Sequence, residues 1–171
     1  MGERMMRRRP VVGISACLLG ERVRYDAREK RATVIIEGLS GRVEWLPVCP
    51  EVGAGLGVPR PAVRLVGEPG RARAVGVEVR TLDVTERLLV FAADWLEQVS
   101  RLDGFILKSR SPSCGLHSTP HYPSGQFGAG LFADQLRRAL PALPLREESE
   151  LVTPEQQESF LAEVIRHSKL P

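Results

Sequence analysis

Short apolar segments alternate with amphipathic segments along most of this chain. The apolar, partly β-branched segments have the length and composition of buried strands: residues 11–15, 43–48 and 104–108. The segments that follow them are typical of helices: residues 31–40, 83–102, 128–140 and a last helix that opens at Thr153. Because strands alternate with helices, we predict an α/β fold with an open, mostly parallel, Rossmann-like sheet and flanking helices.

Two further segments add to this sheet pattern. Residues 61–81 place strand-like stretches on either side of a Gly-Glu-Pro-Gly turn, so we predict an added β-ribbon. Residues 141–149 form a last short strand or extended segment. At 171 residues, of which 43% are hydrophobic, the chain is long enough for one core. We therefore predict a flexible basic N-terminus over residues 1–10 and a single compact domain over residues 11–171.

Charge and hydrophobicity exclude several classes of protein. The net charge of +3 is a modest basic excess and not the dense basic face of a DNA-binding protein, so no DNA partner is expected. No segment resembles a signal peptide or a membrane span, so we expect a cytoplasmic protein without a membrane partner. Three widely spaced cysteines do not suit a disulfide framework in such a compartment. Metal binding, catalysis and plain burial remain as their roles.

The cysteines occupy equivalent positions in the predicted fold. Cys17, Cys49 and Cys114 each follow one of the three predicted buried strands. Because the carboxyl ends of parallel strands lie at one edge of a sheet, where such folds bind ligands, we expect the three thiols to converge there. Burial of three unrelated thiols is the alternative, since free cysteine is among the most buried residue types.

Two metal centres suit three thiolates without an evident fourth ligand. One is a zinc site, and the other is a 4Fe-4S cluster with one open iron that binds substrate as a Lewis acid. A local zinc site is a further alternative, because Cys114, His117 and His121 form the pattern C-x2-H-x3-H. Their segment is polar and proline-rich, however, and surface histidines are ordinary in such a segment.

Polar residues beside the first two cysteines are candidates for catalysis or substrate binding. Glu51 is two residues from Cys49, where its carboxylate could act as an acid or base or orient a water molecule, although it could also cap the following turn. Arg24 and Tyr25 follow Cys17 and are candidates for binding a planar ring or a phosphate. Arg60 is another cation near this predicted edge.

The stretch Lys108-Ser-Arg-Ser-Pro-Ser-Cys-Gly115 carries the third cysteine. Ser111 and Ser113 have hydroxyls that could donate to cluster sulfurs or hold a substrate atom. Alternatively, Lys108 and Ser111 could act as base and nucleophile in acyl transfer. That alternative leaves the other two cysteines unexplained.

Three stretches, taken in order, resemble one protein family. They read ISACLLG with VRYD, then PVCPEVGAGLGVPRP, then DGFILKSRSPSCG. They resemble the small bacterial domain-of-unknown-function family 523, whose characterised members include thiouracil desulfidase. The resemblance covers about residues 11–150, which is most of the chain.

The resemblance implies a specific cofactor and reaction. Cys17, Cys49 and Cys114 would hold a 4Fe-4S cluster whose open iron binds the sulfur of a thiolated pyrimidine base or nucleotide. Glu51 and Ser111 would be the catalytic residues of a desulfuration without net redox change. Apart from the resemblance, the residues themselves make Lys108, Ser113, Arg24 and Tyr25 weaker candidates for substrate binding.

The chain departs from the family pattern in two places. The family commonly has glycine where this chain has Ala27, and the turn after the last cysteine is longer here, at residues 116–127. We expect the longer segment to contribute to the shape of the substrate pocket. A non-catalytic zinc or cluster protein that carries sulfur or binds thiolated RNA is the alternative function.

Overall fold

The structure is a computed structural model that describes residues 8–169, so most of the predicted N-terminal segment lies outside the described residues. Strands and helices alternate over most of the described chain: β1 (Val11–Ser15), α1 (Thr33–Leu39), β2 (Glu44–Val48), α2 (Pro50–Gly53), β3 (Val63–Val66), β4 (Arg73–Gly76), α3 (Thr85–Gln98), β5 (Gly104–Leu107), β6 (Thr119–Tyr122), β7 (Phe127–Gly128), α4 (Leu131–Ala139), β8 (Leu145–Glu147) and α5 (Pro154–His167). Short 3-10 helices lie at Ala16–Leu19 and Glu148–Glu150.

The main sheet has four strands in the order β2-β1-β5-β8, and all of its pairings are parallel. Side chains alternate between its two faces, as a strand requires. Val12 and Ile14 lie in one core with residues of α1 and α5, whereas Phe105 and Leu107 lie in another with residues of α3 and α4. Helices therefore cover both faces of the sheet, which confirms the predicted α/β fold.

A glycine allows the two central strands to pack with a large aromatic side chain. Gly13 is the register partner of Phe105, and a Cβ atom at residue 13 would lie 2.3 Å from Cδ2 of that ring. The ring packs edge-on against Trp95 and Phe132, at centroid distances of 6.0 and 5.8 Å. Any larger residue at position 13 would displace this aromatic cluster and shift β1 against β5.

The second sheet has the order β4-β3-β6-β7. The predicted ribbon is confirmed, since β3 and β4 pair antiparallel. Strands β6 and β7 extend this ribbon, although the composition of their segment predicts a polar loop. That assignment is wrong for His121, which lies in β6 and is fully buried. The predicted start of the last helix is confirmed by a capping box between Thr153 and Gln156.

None of the helices in residues 8–169 combines the length and the hydrophobicity that crossing a bilayer requires.

Candidate functional site

The three cysteines line one cavity at the carboxyl edge of the main sheet. They follow β1, β2 and β5, which are neighbours in that sheet. Cys17, Cys49 and Cys114 are all free thiols, and the cavity that they line has a volume of about 430 Å³. The structure thus brings together residues separated by up to 97 positions (114 minus 17) in the sequence, as the strand pattern predicts.

Local backbone structure fixes each cysteine. Cys17 lies in the 3-10 helix after β1, and its carbonyl accepts the N–H of Lys30 at 3.0 Å. Cys49 directly precedes α2, and its carbonyl accepts the N–H of Gly53 at 2.8 Å. Cys114 donates its own N–H to a side chain, the hydroxyl of Ser111, at 3.0 Å.

Ser15 is a site residue that the sequence pattern does not reveal. It is buried at the end of β1 and lines the cavity. Its hydroxyl oxygen accepts the N–H of Lys108 at 2.9 Å. The hydroxyl also hydrogen-bonds to the Cys114 sulfur; burial raises the pKa of that thiol, and this bond offsets part of the rise. The sequence feature that could have indicated a role for Ser15 is its position as a polar residue at the end of an otherwise apolar strand.

Burial governs the ionisation of the three thiols. It raises the pKa of Cys17 to about 11, and it also raises the pKa values of Cys49 and Cys114. Negative charge on Cys17 or Cys49 raises the pKa of Cys114 further, because the groups lie close together. In the metal-free protein the thiols are therefore protonated at neutral pH, and a metal centre would displace protons when it binds.

We expect slow, steeply pH-dependent alkylation of Cys17 in the metal-free protein. With its pKa at about 11, about 0.1% of this thiol is thiolate at pH 8. The rate of iodoacetamide labelling, followed by peptide mass spectrometry, should rise about tenfold per pH unit from pH 8 to 10.

Denatured chain is the control for this experiment, and its labelling should level off above about pH 8.5. A plateau below pH 9 in the folded protein would contradict the raised pKa of Cys17. Because that pKa is raised on folding, its contribution to stability is complete below about pH 8.5 and is lost as the pH rises through about 11.

The spacing of the thiols favours a cluster over a single zinc ion. Three thiolates on one tetrahedral zinc, each about 2.3 Å from the metal, lie about 3.8 Å apart. Within residues 8–169, the ligand atoms that all lie within 4.8 Å of one another belong to His117, Glu147 and Glu150, not to the cysteines. A cluster spreads its protein ligands over several irons, so this wider set of three sulfurs fits it better.

Glu51 lies on the first turn of α2 and lines the cavity. Its Oε2 accepts a hydrogen bond from Nη2 of Arg60 at 2.8 Å. Its Oε1 has no hydrogen bond or ion pair with any described residue. One carboxylate oxygen is therefore anchored and the other remains able to accept a proton.

Ser111 also lines the cavity, and its hydroxyl is oriented by the backbone. The oxygen accepts the N–H groups of Ser113 and Cys114 at 3.2 and 3.0 Å. Its proton must then point away from these donors, so the hydroxyl can donate to a molecule in the cavity. Ser113 does not line the cavity; its side chain is buried, and its hydroxyl has no hydrogen-bond partner among residues 8–169.

Lys108 lies in the cavity wall, but it is not paired with Ser111. Its ammonium group bonds to the carbonyl and hydroxyl of Ser109 and to the carboxylate of Glu148. All three ammonium protons are thus engaged. This geometry does not support the acyl-transfer alternative, because the hydrogen bonds of the lysine go to Ser109 and Glu148 and none goes to Ser111 within the described residues.

The mouth of the cavity is cationic. Arg24, Lys30 and Arg110 line it, and none of them forms an ion pair with a carboxylate in the described part of the chain. The Arg24 guanidinium lies 5.8 Å from the ring centroid of Tyr25, which is also at the mouth. Such a surface attracts anions and offers a planar face for stacking.

The first departure from the family pattern has a structural consequence in the loop that carries Arg24 and Tyr25. Ala27 has a φ of 59°, which is left-handed backbone that glycine adopts without strain. The preceding Asp26 accepts the N–H of Arg28 at 3.1 Å and holds the turn. Alanine therefore preserves the turn that a glycine would form here, at some conformational cost.

The two histidines of the local zinc hypothesis lie outside the cysteine cavity. His117 is 57% exposed and lies 3.5 Å from Glu147, whereas buried His121 lines a separate cavity. A larger and more open groove of about 640 Å³ runs beside β8 and α5, but it contains none of the cysteines. The structure thus separates both imidazoles from the three thiols.

Comparison with known proteins identifies the family. Residues 12–148 match the family model described as 2-thiouracil desulfurase. The chain belongs to this family. A search of curated proteins found no match.

A solved structure supports the 2-thiouracil desulfurase assignment. The chain is similar to the 4Fe-4S-dependent thiouracil desulfidase TudS, with 30% sequence identity and a TM-score of 0.68. The similarity covers 89% of this chain and 97% of that one. The described cysteine cavity therefore belongs to a protein of a desulfurase family that also shares the fold of a cluster-dependent enzyme.

Proposed function

We propose that this desulfurase removes sulfur from a thiolated pyrimidine at a 4Fe-4S cluster held by Cys17, Cys49 and Cys114. The observation that carries the proposal is that three free thiols, Glu51 and Ser111 line one cavity. The cluster dependence of the similar protein TudS supports it. When bound, a cluster with one iron free of protein ligands supplies a Lewis acid for a soft sulfur atom.

The protein's own residues have distinct tasks in this proposal. Glu51 accepts a proton from water through its free Oε1 and so promotes attack on the thiocarbonyl carbon. Ser111 donates its hydroxyl proton to a polar atom of the pyrimidine and orients the ring. A C–O bond forms and the C–S bond breaks, giving a pyrimidine carbonyl and hydrogen sulfide without net oxidation or reduction.

The cationic mouth indicates that the substrate carries an anionic group. Arg24, Lys30 and Arg110 lack carboxylate partners in the described residues, and Tyr25 lies beside them. An anionic group on the substrate would supply the missing partner. We therefore favour a thiolated nucleotide over the free base as the preferred substrate.

Anaerobic reconstitution with iron and sulfide tests the proposed function. The loaded protein is incubated with 2-thiouracil, 4-thiouracil or 4-thiouridine monophosphate, while thiocarbonyl absorbance and released sulfide are followed. We expect sulfide to appear in step with loss of the thiocarbonyl band. The nucleotide should have a KM at least about tenfold below that of its base, and added salt should shrink this difference.

Other outcomes would contradict parts of the proposal. A full cluster with no loss of the thiocarbonyl band would remove desulfuration of these substrates. Stoichiometric zinc after anaerobic purification would count against the cluster and favour the zinc alternative. Equal KM values for base and nucleotide would leave the cationic mouth without a role in binding. Binding of thiolated RNA and a cytoplasmic location stay predictions.

A further inference from the structure

The carboxylate of Glu51 is held by one side chain that the desulfurase chemistry does not itself require. We propose that Arg60 is a positioning residue, which anchors Oε2 of Glu51 so that Oε1 faces the reacting atoms. The proposal rests on the function proposed above. Arg60 differs in this contact from the cations at the mouth, which have no carboxylate partner among the described residues.

The guanidinium group of Arg60 is committed to the protein. Its side chain is 3% exposed, Nη2 donates to Glu51 at 2.8 Å, and Nη1 donates to the Gly57 carbonyl at 2.8 Å. Its Nε is buried and has no hydrogen-bond partner in residues 8–169. Both terminal nitrogens are thus bonded to the protein, and we infer that the group acts through the carboxylate that it holds.

The two bonds link the Glu51 carboxylate, in the cavity wall, to the loop that follows α2. One arm of the guanidinium holds the α2 carboxylate and the other holds the loop carbonyl of Gly57, six residues further along the chain. The planar fork fixes both directions together, which an ammonium group cannot do. A carboxylate with several rotatable bonds would otherwise sample orientations in which neither oxygen faces the substrate.

The backbone of Arg60 makes a separate contact, which a substitution leaves in place. Its N–H donates to the Tyr25 carbonyl at 2.9 Å and links the Cys17 loop to this region. A side-chain variant therefore tests the guanidinium without removing that link. Any change in activity can then be assigned to the fork.

Kinetics of reconstituted variants test the proposal. Arg60→Gln should lower kcat about 100-fold and change KM less than about threefold, because the substrate contacts remain. Iron content and cluster absorbance should match wild type. Arg60→Lys keeps the positive charge beside Glu51 but loses the two-armed hydrogen bonding, so it should recover only part of the activity and stay about tenfold below wild type. The Glu51→Gln/Arg60→Gln double variant should be no slower than Glu51→Gln alone.

Arg64→Gln is the matched control. Arg64 lies on β3, its guanidinium is 5.0 Å from the Tyr122 ring centroid, and it does not line the cavity. Its kcat and KM should equal those of wild type. A raised KM with unchanged kcat in Arg60→Gln would overturn the proposal by assigning Arg60 to substrate binding. A double variant slowed by the product of the single effects would also overturn it.

A measurement without turnover separates this proposal from the proposed function. Urea unfolding of the metal-free wild type, Glu51→Gln, Arg60→Gln and the double variant forms a double-mutant cycle. We expect the double variant to have the same urea midpoint as the less stable single variant. Additive midpoint shifts would overturn the positioning role. Failure of a fully loaded wild type to convert thiouracil would instead overturn the proposed function, and the cycle would still decide whether Arg60 holds Glu51.

Discussion

Alanine at Cys17, Cys49 or Cys114 is expected to abolish cluster retention and desulfuration. The three thiols are the candidate ligands in one cavity, and no fourth cysteine exists in the chain to replace a lost one. Removal of a Lewis acid worth several kcal/mol should lower activity by about 1,000-fold or more. Iron and sulfide analysis after anaerobic reconstitution, with turnover of the same samples, provides the measurement.

Stability must be separated from ligation in these variants. Cys17 and Cys114 are buried, so each alanine also removes core volume and should destabilise the metal-free protein by about 1 kcal/mol. Val43→Ala removes a buried side chain beside β2, outside the cavity, and should retain a full cluster. If a cysteine variant keeps both full iron content and full activity, that cysteine is not a ligand.

Glu51→Gln is expected to lower kcat by about 100- to 10,000-fold, the usual contribution of general acid–base catalysis. Glutamine has nearly the same shape and can keep a hydrogen bond to Arg60, but its amide cannot take a proton from water. Cluster absorbance and iron content should stay at the wild-type level. Steady-state turnover of the best substrate, normalised to iron content, measures the effect.

Glu44→Gln is the control, because Glu44 is an exposed carboxylate at the opposite end of β2. It should retain wild-type kcat. A Glu51→Gln enzyme within twofold of wild type would exclude Glu51 as the base and leave water activation to another group. Loss of iron in the same variant would instead assign the carboxylate a role in cluster binding.

The α/β fold could be predicted because hydrophobic periodicity reports burial directly. The strands before Cys17 and Cys114 are short, mostly apolar and buried along their length, whereas the edge strand before Cys49 is only partly buried; each was found within a residue of its predicted bounds. β6 escaped prediction because Thr119–Tyr122 contains a proline and a histidine and is short. Its position next to β3 depends on a tertiary pairing that local sequence does not encode.

For a similar reason, the sequence could not predict which side chains form ion pairs and hydrogen bonds with one another. Lys108 lies three residues from Ser111, yet its ammonium group bonds to Glu148, which β8 brings to the same edge. Arg60 reaches Glu51 although a loop with several glycines separates them. In each case, the direction of a long side chain depends on packing and charge around it.

The sequence by itself determined the order of strands and helices, the placement of one cysteine after each of three strands, and motifs specific enough to indicate the family. These features depend on local composition and spacing, which the chain carries without folding. Only the tertiary structure decided that β2, β1 and β5 are neighbours, that the three thiols line one cavity, and that Arg60 is hydrogen-bonded to Glu51. Strand pairing and burial set these distances, and both arise only when segments far apart in the chain pack together.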